Sequence, residues 1–377
     1  MHAKLLPGER MILVLQGGGA LGAYQAGAYE ALAEAGLEPH GVAGISIGAI
    51  NGAIIAGNPP GKRVARLREF WESISAGLAT SPFTGNELRT ALNEWNAANV
   101  VAFGVPGFFS PRIPPPFLMP PGARGANSFY STDPLRHTLE TLVDFDELNS
   151  GRMRYAAGAV EIASGNLNYF DTKDQKIAVA HVMASCALPP GFPPVMIEDK
   201  YYWDGGVVSN SPLQYVLESG ERATSDLCLF QVDLFSARGR QPEGLPDVVQ
   251  REKEIRYSSR TRLNTDFEMR IQMLRRAVHR LLGKLPESLR DDADVNLLRE
   301  HACTSSVTVV HLIHRRTAYE RFSMDYEFSR LSMLEHWQAG LEDVRHTLNQ
   351  PEWLNRKKPD GVLVLDLTLD KEEELAP

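Results

Sequence analysis

Five consecutive apolar residues, Met11-Ile12-Leu13-Val14-Leu15, run almost directly into Gly17-Gly18-Gly19. A stretch rich in Ala, Glu, Leu and Tyr then occupies residues 20–35 and stops at Gly36. A short apolar run ending in glycines reads as a buried strand, and the alanine-rich stretch with its glycine stop reads as a helix. The pattern then repeats. Val42-Ala43 leads into Gly44-Ile45-Ser46-Ile47-Gly48, a small-residue helix runs to about Ala56, and Gly57-Asn58-Pro59-Pro60 ends it. An amphipathic helix follows, with Val64, Leu67, Trp71 and Ile74 on one face. This alternation is the pattern of a parallel α/β sheet with helices on both faces. Later strands are expected at 155–160, 227–232 and 307–313, and no internal repeat is visible.

Charge and cysteine usage exclude several functions. A net charge of −8 and a pI near 5.7 argue against nucleic acid as a partner. Cys186, Cys228 and Cys303 are far apart with no C-x-x-C spacing, so neither a disulfide framework nor a zinc cluster is expected, and a reducing cytoplasm suits them. The apolar run at 11–15 is too short for a signal-peptide core, and no window approaches the roughly 18 apolar residues of a membrane span. Contact with lipid is therefore expected to be peripheral.

Two regions stand out. Between 100 and 127, seven prolines interleave with Phe103, Phe108, Phe109 and Phe117. That density excludes a helix or central strand and implies either a surface excursion packed down by its aromatics or an apolar lid that meets lipid. Residues 247–285 read as a long helical region. Within 251–290, eleven Lys/Arg face five Asp/Glu, a local +6 in an acidic chain. A solvated helix face accounts for this; so does a surface for phospholipid headgroups or an acyl-phosphopantetheine carrier. The run Asp370-Lys371-Glu372-Glu373-Glu374 reads as a soluble end.

Three motifs carry chemistry. Gly17-Gly18-Gly19-Ala20-Leu21-Gly22 follows a strand and opens a helix, so its amides and the helix dipole suit negative charge, either a pyrophosphate or the oxyanion of a tetrahedral intermediate. A dinucleotide fold would end its second strand on an acidic residue; here that strand ends in Gly44-Ile45-Ser46-Ile47-Gly48. The G-x-S-x-G spacing places a serine on a sharp strand-to-helix turn, where larger neighbours would collide. A serine needs a base. His279, His301, His311, His314, His336 and His346 lie in no glycine- or turn-bounded motif, and His311 and His314, at the end of a strand-like run, read as structural. Tyr201-Tyr202-Trp203-Asp204-Gly205-Gly206 offers instead an aspartate leaving an aromatic strand onto a glycine turn, although Asp-Gly is also an ordinary hairpin turn.

In this order and spacing, the three blocks resemble those of patatin-like phospholipases. So do the stretches 184–194 and 206–212 around the aspartate, and the resemblance covers about 11–215. It implies a three-layer α/β/α sandwich with a mostly parallel sheet, and a lipid acyl hydrolase of the phospholipase A or lysophospholipase kind. In that chemistry Ser46 is the nucleophile and Asp204 the base of a dyad. The loop Gly17–Ala20 holds the oxyanion, with Gly18, Gly19 and Ala20 as amide donors, and Gly22, Gly44, Gly48, Gly205 and Gly206 support the motifs. Neither cofactor nor metal is implied. The implied substrate is a lipid or acyl ester, met by a cytoplasmic protein that can touch an anionic membrane surface. Soluble esters, thioesters and a non-catalytic binding role stand as alternatives, and a triad through His311 or His314 as another. Leu21 departs from the family, which often carries Arg or Lys there. Residues 216–377 read as an extension that partly completes the α/β core.

Overall fold

The computed structural model describes residues 4–80, 85–218, 225–289 and 291–368, and of residues 259–266, 268 and 269 the backbone alone. The acidic run at 370–374 lies outside the described residues. The chain opens with β1 (Glu9–Leu15), a 3-10 turn (Gly19–Gly22), α1 (Ala23–Glu34), β2 (Gly41–Ile45), α2 (Ile47–Ala56) and α3 (Pro60–Ser73). These are the elements expected from the opening alternation. Next come α4 (Asn86–Phe103), the two-residue pair β3 (Ser110–Pro111) and β4 (Tyr130–Ser131), α5 (Asp133–Leu142) and α6 (Phe145–Leu148). The middle of the chain holds β5 (Arg154–Glu161), β6 (Leu167–Asp171), α7 (Val179–Ser185), β7 (Val195–Ile197), β8 (Lys200–Asp204) and α8 (Leu213–Glu218). The last third adds β9 (Asp226–Asp233), α9 (Leu245–Leu282), α10 (Ala293–His301), β10 (Val307–Ile313), α11 (Arg330–Asn349), α12 (Pro351–Leu354) and β11 (Val362–Asp366).

Among the described residues, nine strands form one sheet in the order β11-β10-β9-β1-β2-β5-β8-β7, with β6 also on β5. From β11 to β5 the pairing is parallel; β6, β7 and β8 add the antiparallel part. β1 lies centrally and is apolar along its length because both faces are covered. Its side chains alternate between two cores. Met11, Leu13 and Leu15 face a cluster that includes residues of α1, α2, α3, α7 and α11, while Ile12 and Val14 face Leu213, Val216 and Leu217 of α8.

The last third of the chain is built into this sheet. β9 pairs with β1 from Glu9↔Asp226 to Leu15↔Val232. α11 crosses α1 at glycines on both sides: a Cβ on Gly27 would lie 1.8 Å from the Trp337 carbonyl oxygen, and one on Gly340 would lie 2.0 Å from that of Tyr24. Tyr24 then donates its hydroxyl to Asp343 at 2.6 Å.

Two expectations change. α4 continues to Phe103, and Pro116–Leu118 forms a 3-10 turn, so the segment 100–127 is not free of helix. Its first proline is Pro106, and the helix runs on to Gly104, whose φ of 76° ends it. Its aromatics also divide, with Phe108 and Phe109 buried and Phe103 and Phe117 exposed. On α9, Arg251, Lys253, Arg256 and Arg276 pair with Glu254, Asp325, Glu252 and Asp360, so part of the local positive charge is met within the protein. No helix among the described residues is long and apolar enough to cross a membrane.

Candidate active site

Ser46 joins β2 to α2 at φ 54° and ψ −123°, one of two non-glycine residues with positive φ among the described residues. Such a conformation costs on the order of 1–3 kcal/mol and persists only where its surroundings impose it. Those surroundings are specific. The Ser46 amide donates to Ser185 Oγ at 3.0 Å, Ser185 Oγ donates to the Gly158 carbonyl at 2.7 Å, and Cys186 Sγ donates to the Ser46 carbonyl at 3.2 Å. The flanking glycines are steric necessities. A Cβ on Gly44 would lie 2.3 Å from the Gly48 carbonyl, and one on Gly48 would lie 2.4 Å from the Leu15 carbonyl oxygen.

Sheet register brings Asp204 to the serine. β2 pairs with the first part of β5, ending at Ile45↔Gly158; β8 pairs with the last part, beginning at Ala159↔Asp204. β6 takes the opposite edge of β5. β2 and β8 thus abut on one edge, and because one runs parallel to β5 and the other antiparallel, their carboxyl ends meet. Ser46 follows one end and Asp204 is the other. The Asp204 amide donates to the Ala187 carbonyl at 3.0 Å, and its Oδ1 accepts from the Gly206 amide at 2.7 Å. Oδ2 is buried and makes no hydrogen bond of full geometry among the described residues. Burial pushes the carboxyl up to about 7, against the Ser46 hydroxyl and the Gly206 amide, which both favour its charged form. Burial, reinforced by the charge of Asp204, also holds the neighbouring Cys186 thiol well above its usual range, so it stays protonated. The turn after Asp204 is a 3-10 turn, Gly205–Val207, not a hairpin.

The glycine loop packs beside Ser46. A Cβ on Gly17 would lie 3.1 Å from that of Ser46, and the Gly17 amide donates to the Asn210 carbonyl at 3.2 Å. Asn210 Nδ2 returns a bond to the Gly17 carbonyl at 2.9 Å. The Ala20 amide donates to the Asp325 carbonyl at 2.8 Å. That carbonyl oxygen lies 2.0 Å from where a Cβ on Gly19 would be, and Gly19 itself has φ +55°. The Gly18 and Gly19 amides have no backbone acceptor among the described residues. Of the four loop residues expected to hold an oxyanion, Gly17 and Ala20 have their amides occupied, and Gly18 and Gly19 do not. Leu21 is fully buried, and a Cβ on Gly22 would meet Ile47 at 2.5 Å.

Ser46, Asp204 and residues 17–19 line a cavity of about 330 Å3 whose far walls are mostly apolar. Phe108, Phe109, Phe192, Phe328 and Tyr130 form an aromatic cluster on one side, with the ring centroids of Phe109 and Phe192 5.1 Å apart. Neither His311 nor His314 lines this cavity. Sequence motifs did not reveal Ser185, Asn210 or Asp325. Ser185 and Asn210 lie in the stretches beside Asp204 that carry the family resemblance, whereas Asp325 belongs to no motif.

With the glycine loop and the serine turn side by side at the carboxyl ends of β1 and β2, the chain has the ligand-facing edge of an α/β/α sandwich. It belongs to the patatin-like phospholipase family, matching Patatin-like phospholipase over residues 13–217 and DUF3734, Patatin phospholipase, over residues 255–360. A Caenorhabditis elegans patatin-like phospholipase domain-containing protein is 41% identical over 69 residues, a stretch covering 18% of this chain and 6% of that protein's length. Among solved structures, VipD from Legionella pneumophila is similar at a TM-score of 0.36 and 13% identity, over 89% of this chain and 67% of its own. ExoU from Pseudomonas aeruginosa, solved in complex with SpcU, gives 0.26 and 17%, over 66% and 49%.

Proposed function

We propose that this chain cleaves lipid acyl esters as a phospholipase A or lysophospholipase, through a Ser46–Asp204 dyad and an acyl-enzyme. The observation that carries the reading is the end-to-end meeting of β2 and β8, which sets a strained serine beside a buried carboxylate. Ser46 Oγ attacks the ester carbonyl carbon while its proton passes to Asp204. The amides of Gly18 and Gly19 stabilise the oxyanion. When the intermediate collapses, the C–O bond breaks and the leaving alcohol takes the proton from Asp204. Water then attacks the acyl-enzyme with Asp204 again as base, releasing the fatty acid and restoring Ser46. A carboxyl held near 7 is suited to both roles at neutral pH.

The apolar cavity walls favour an acyl chain, and the exposed Phe103, Ile113, Phe117 and Leu118 favour delivery from a lipid surface over a soluble ester or thioester. A cytoplasmic protein that touches an anionic membrane peripherally fits these features. Residues 11–215 carry the chemistry in this reading, and 216–377 complete the sheet and one cavity wall through Phe235, Tyr257, Tyr326 and Phe328. Hydrolysis of p-nitrophenyl esters, phospholipid vesicles and acyl-CoA by wild type, Ser46→Ala and Asp204→Asn tests the proposal. Full activity in either variant would end the dyad, and a preference for acyl-CoA over vesicles would end the lipid assignment.

A further inference from the structure

Away from Ser46, three buried side chains of the last third of the chain converge. His314 directly follows β10, Glu320 lies in the segment after it, and His336 is on α11. None is more than 5% exposed. Glu320 Oε1 lies 2.5 Å from His336 Nε2 and 3.6 Å from His314 Nε2. Its Oε2 accepts from the Thr317 amide at 2.5 Å and the Thr317 hydroxyl at 3.1 Å, which fixes the carboxylate from behind. The two imidazole rings stand 5.0 Å apart and nearly perpendicular, at 79°.

Hydrogen bonding satisfies only part of this cluster. Among the described residues, both ring nitrogens of His314 lack a partner within hydrogen-bond distance although the residue is 4% exposed. Burying an imidazole in that state is costly, and a cation that takes up a nitrogen lone pair removes part of the cost. The geometry suits one. A ligand atom from each residue lies within 4.8 Å of the other two. Ligand atoms on a tetrahedral zinc ion sit roughly 3.3 Å apart, and the separations of 2.5 and 3.6 Å fall on either side of that value. Two imidazoles and one carboxylate match a three-ligand zinc site, whose fourth position takes water. His314 also lines a second cavity, of about 550 Å3, which gives an ion and that water a route from solvent.

We infer that His314, Glu320 and His336 bind a divalent first-row metal ion, with zinc the ion best matched to the donor set. The ion ties β10, the connecting segment and α11 together. The same segment carries Asp325, whose carbonyl accepts the Ala20 amide at 2.8 Å. The metal would therefore brace the segment that closes on the glycine loop without touching reacting atoms.

The full chain, stripped with chelator, reloaded with zinc chloride and dialysed into metal-free buffer, is expected to retain about one zinc per chain. His314→Ala and Glu320→Gln should each retain at least about tenfold less, while His311→Gln, altered three residues earlier on β10, should match wild type. Cobalt in place of zinc should give the visible ligand-field absorption of a four-coordinate site in the wild type, a reading that needs no variant to fold. Wild type holding no more zinc than His314→Ala, or showing no cobalt absorption, would overturn the inference and leave a metal-free His–Glu hydrogen bond. Both readings are independent of hydrolysis, so they stand or fall apart from the dyad.

Discussion

In the proposed dyad, Asp204 links chemistry to stability through one proton. Its folded carboxyl titrates near 7 because of burial, while in the unfolded chain a carboxyl titrates at about 4. The folded state therefore binds the proton more tightly. That stabilisation is complete below about pH 4 and is lost as pH rises through about 7. Asparagine keeps the shape and does not titrate. Asp204→Asn should raise Tm relative to wild type at pH 8 and lose the advantage near pH 4, as calorimetry across that range would show. The same change should lower kcat/KM by about 10²- to 10⁴-fold. In wild type, kcat/KM should fall on the acid side with a midpoint near 7, since only the ionised carboxyl accepts the serine proton. A midpoint near 4, or no acid limb, would contradict the role given to Asp204.

At the scale of elements, the turn that presents Ser46 is held by α7 as much as by its own glycines. Ser185→Ala removes both the acceptor of the Ser46 amide and the donor to Gly158. Leaving such buried groups unmet costs about 1–3 kcal/mol, which denaturant titration should register, together with a larger fall in kcat than change in KM. How much of this was legible depends on range. Gly44 could be read because its collision is with Gly48, four positions on, whereas Gly48, which would meet the Leu15 carbonyl on β1, was legible only through the G-x-S-x-G spacing. Ser185 could not, because it meets Ser46 across 139 residues. Nor could the bond from the Ala20 amide, since its acceptor Asp325 arrives from the far end of the chain. The aromatic strand before Asp204 was visible, but its end-to-end meeting with β2 depends on the register of β5. The reach of α4 to Phe103 was hidden by the proline density of the whole segment.

Across the whole molecule, the central strand and the cavity both depend on residues beyond 217. β1 has β9 along its full length, and α11 locks onto α1 through Gly27 and Gly340. Ending the chain at residue 217 would expose one edge of β1 and the apolar face of α1, so that fragment should aggregate and lack cooperative unfolding by circular dichroism. A soluble, cooperatively folded fragment would count against a single shared core. Phe328 contributes to the cavity wall from that same part, and Phe328→Leu should shift the acyl-length preference more than it lowers the rate on short p-nitrophenyl esters. Whether Ser46 is the nucleophile activated by Asp204 is decided by intact-mass analysis after reaction with a fluorophosphonate. One adduct mapped to Ser46 is expected in wild type, none in Ser46→Ala and greatly slowed labelling in Asp204→Asn; equal labelling of Ser46→Ala, or an adduct mapped to another residue, would overturn the dyad.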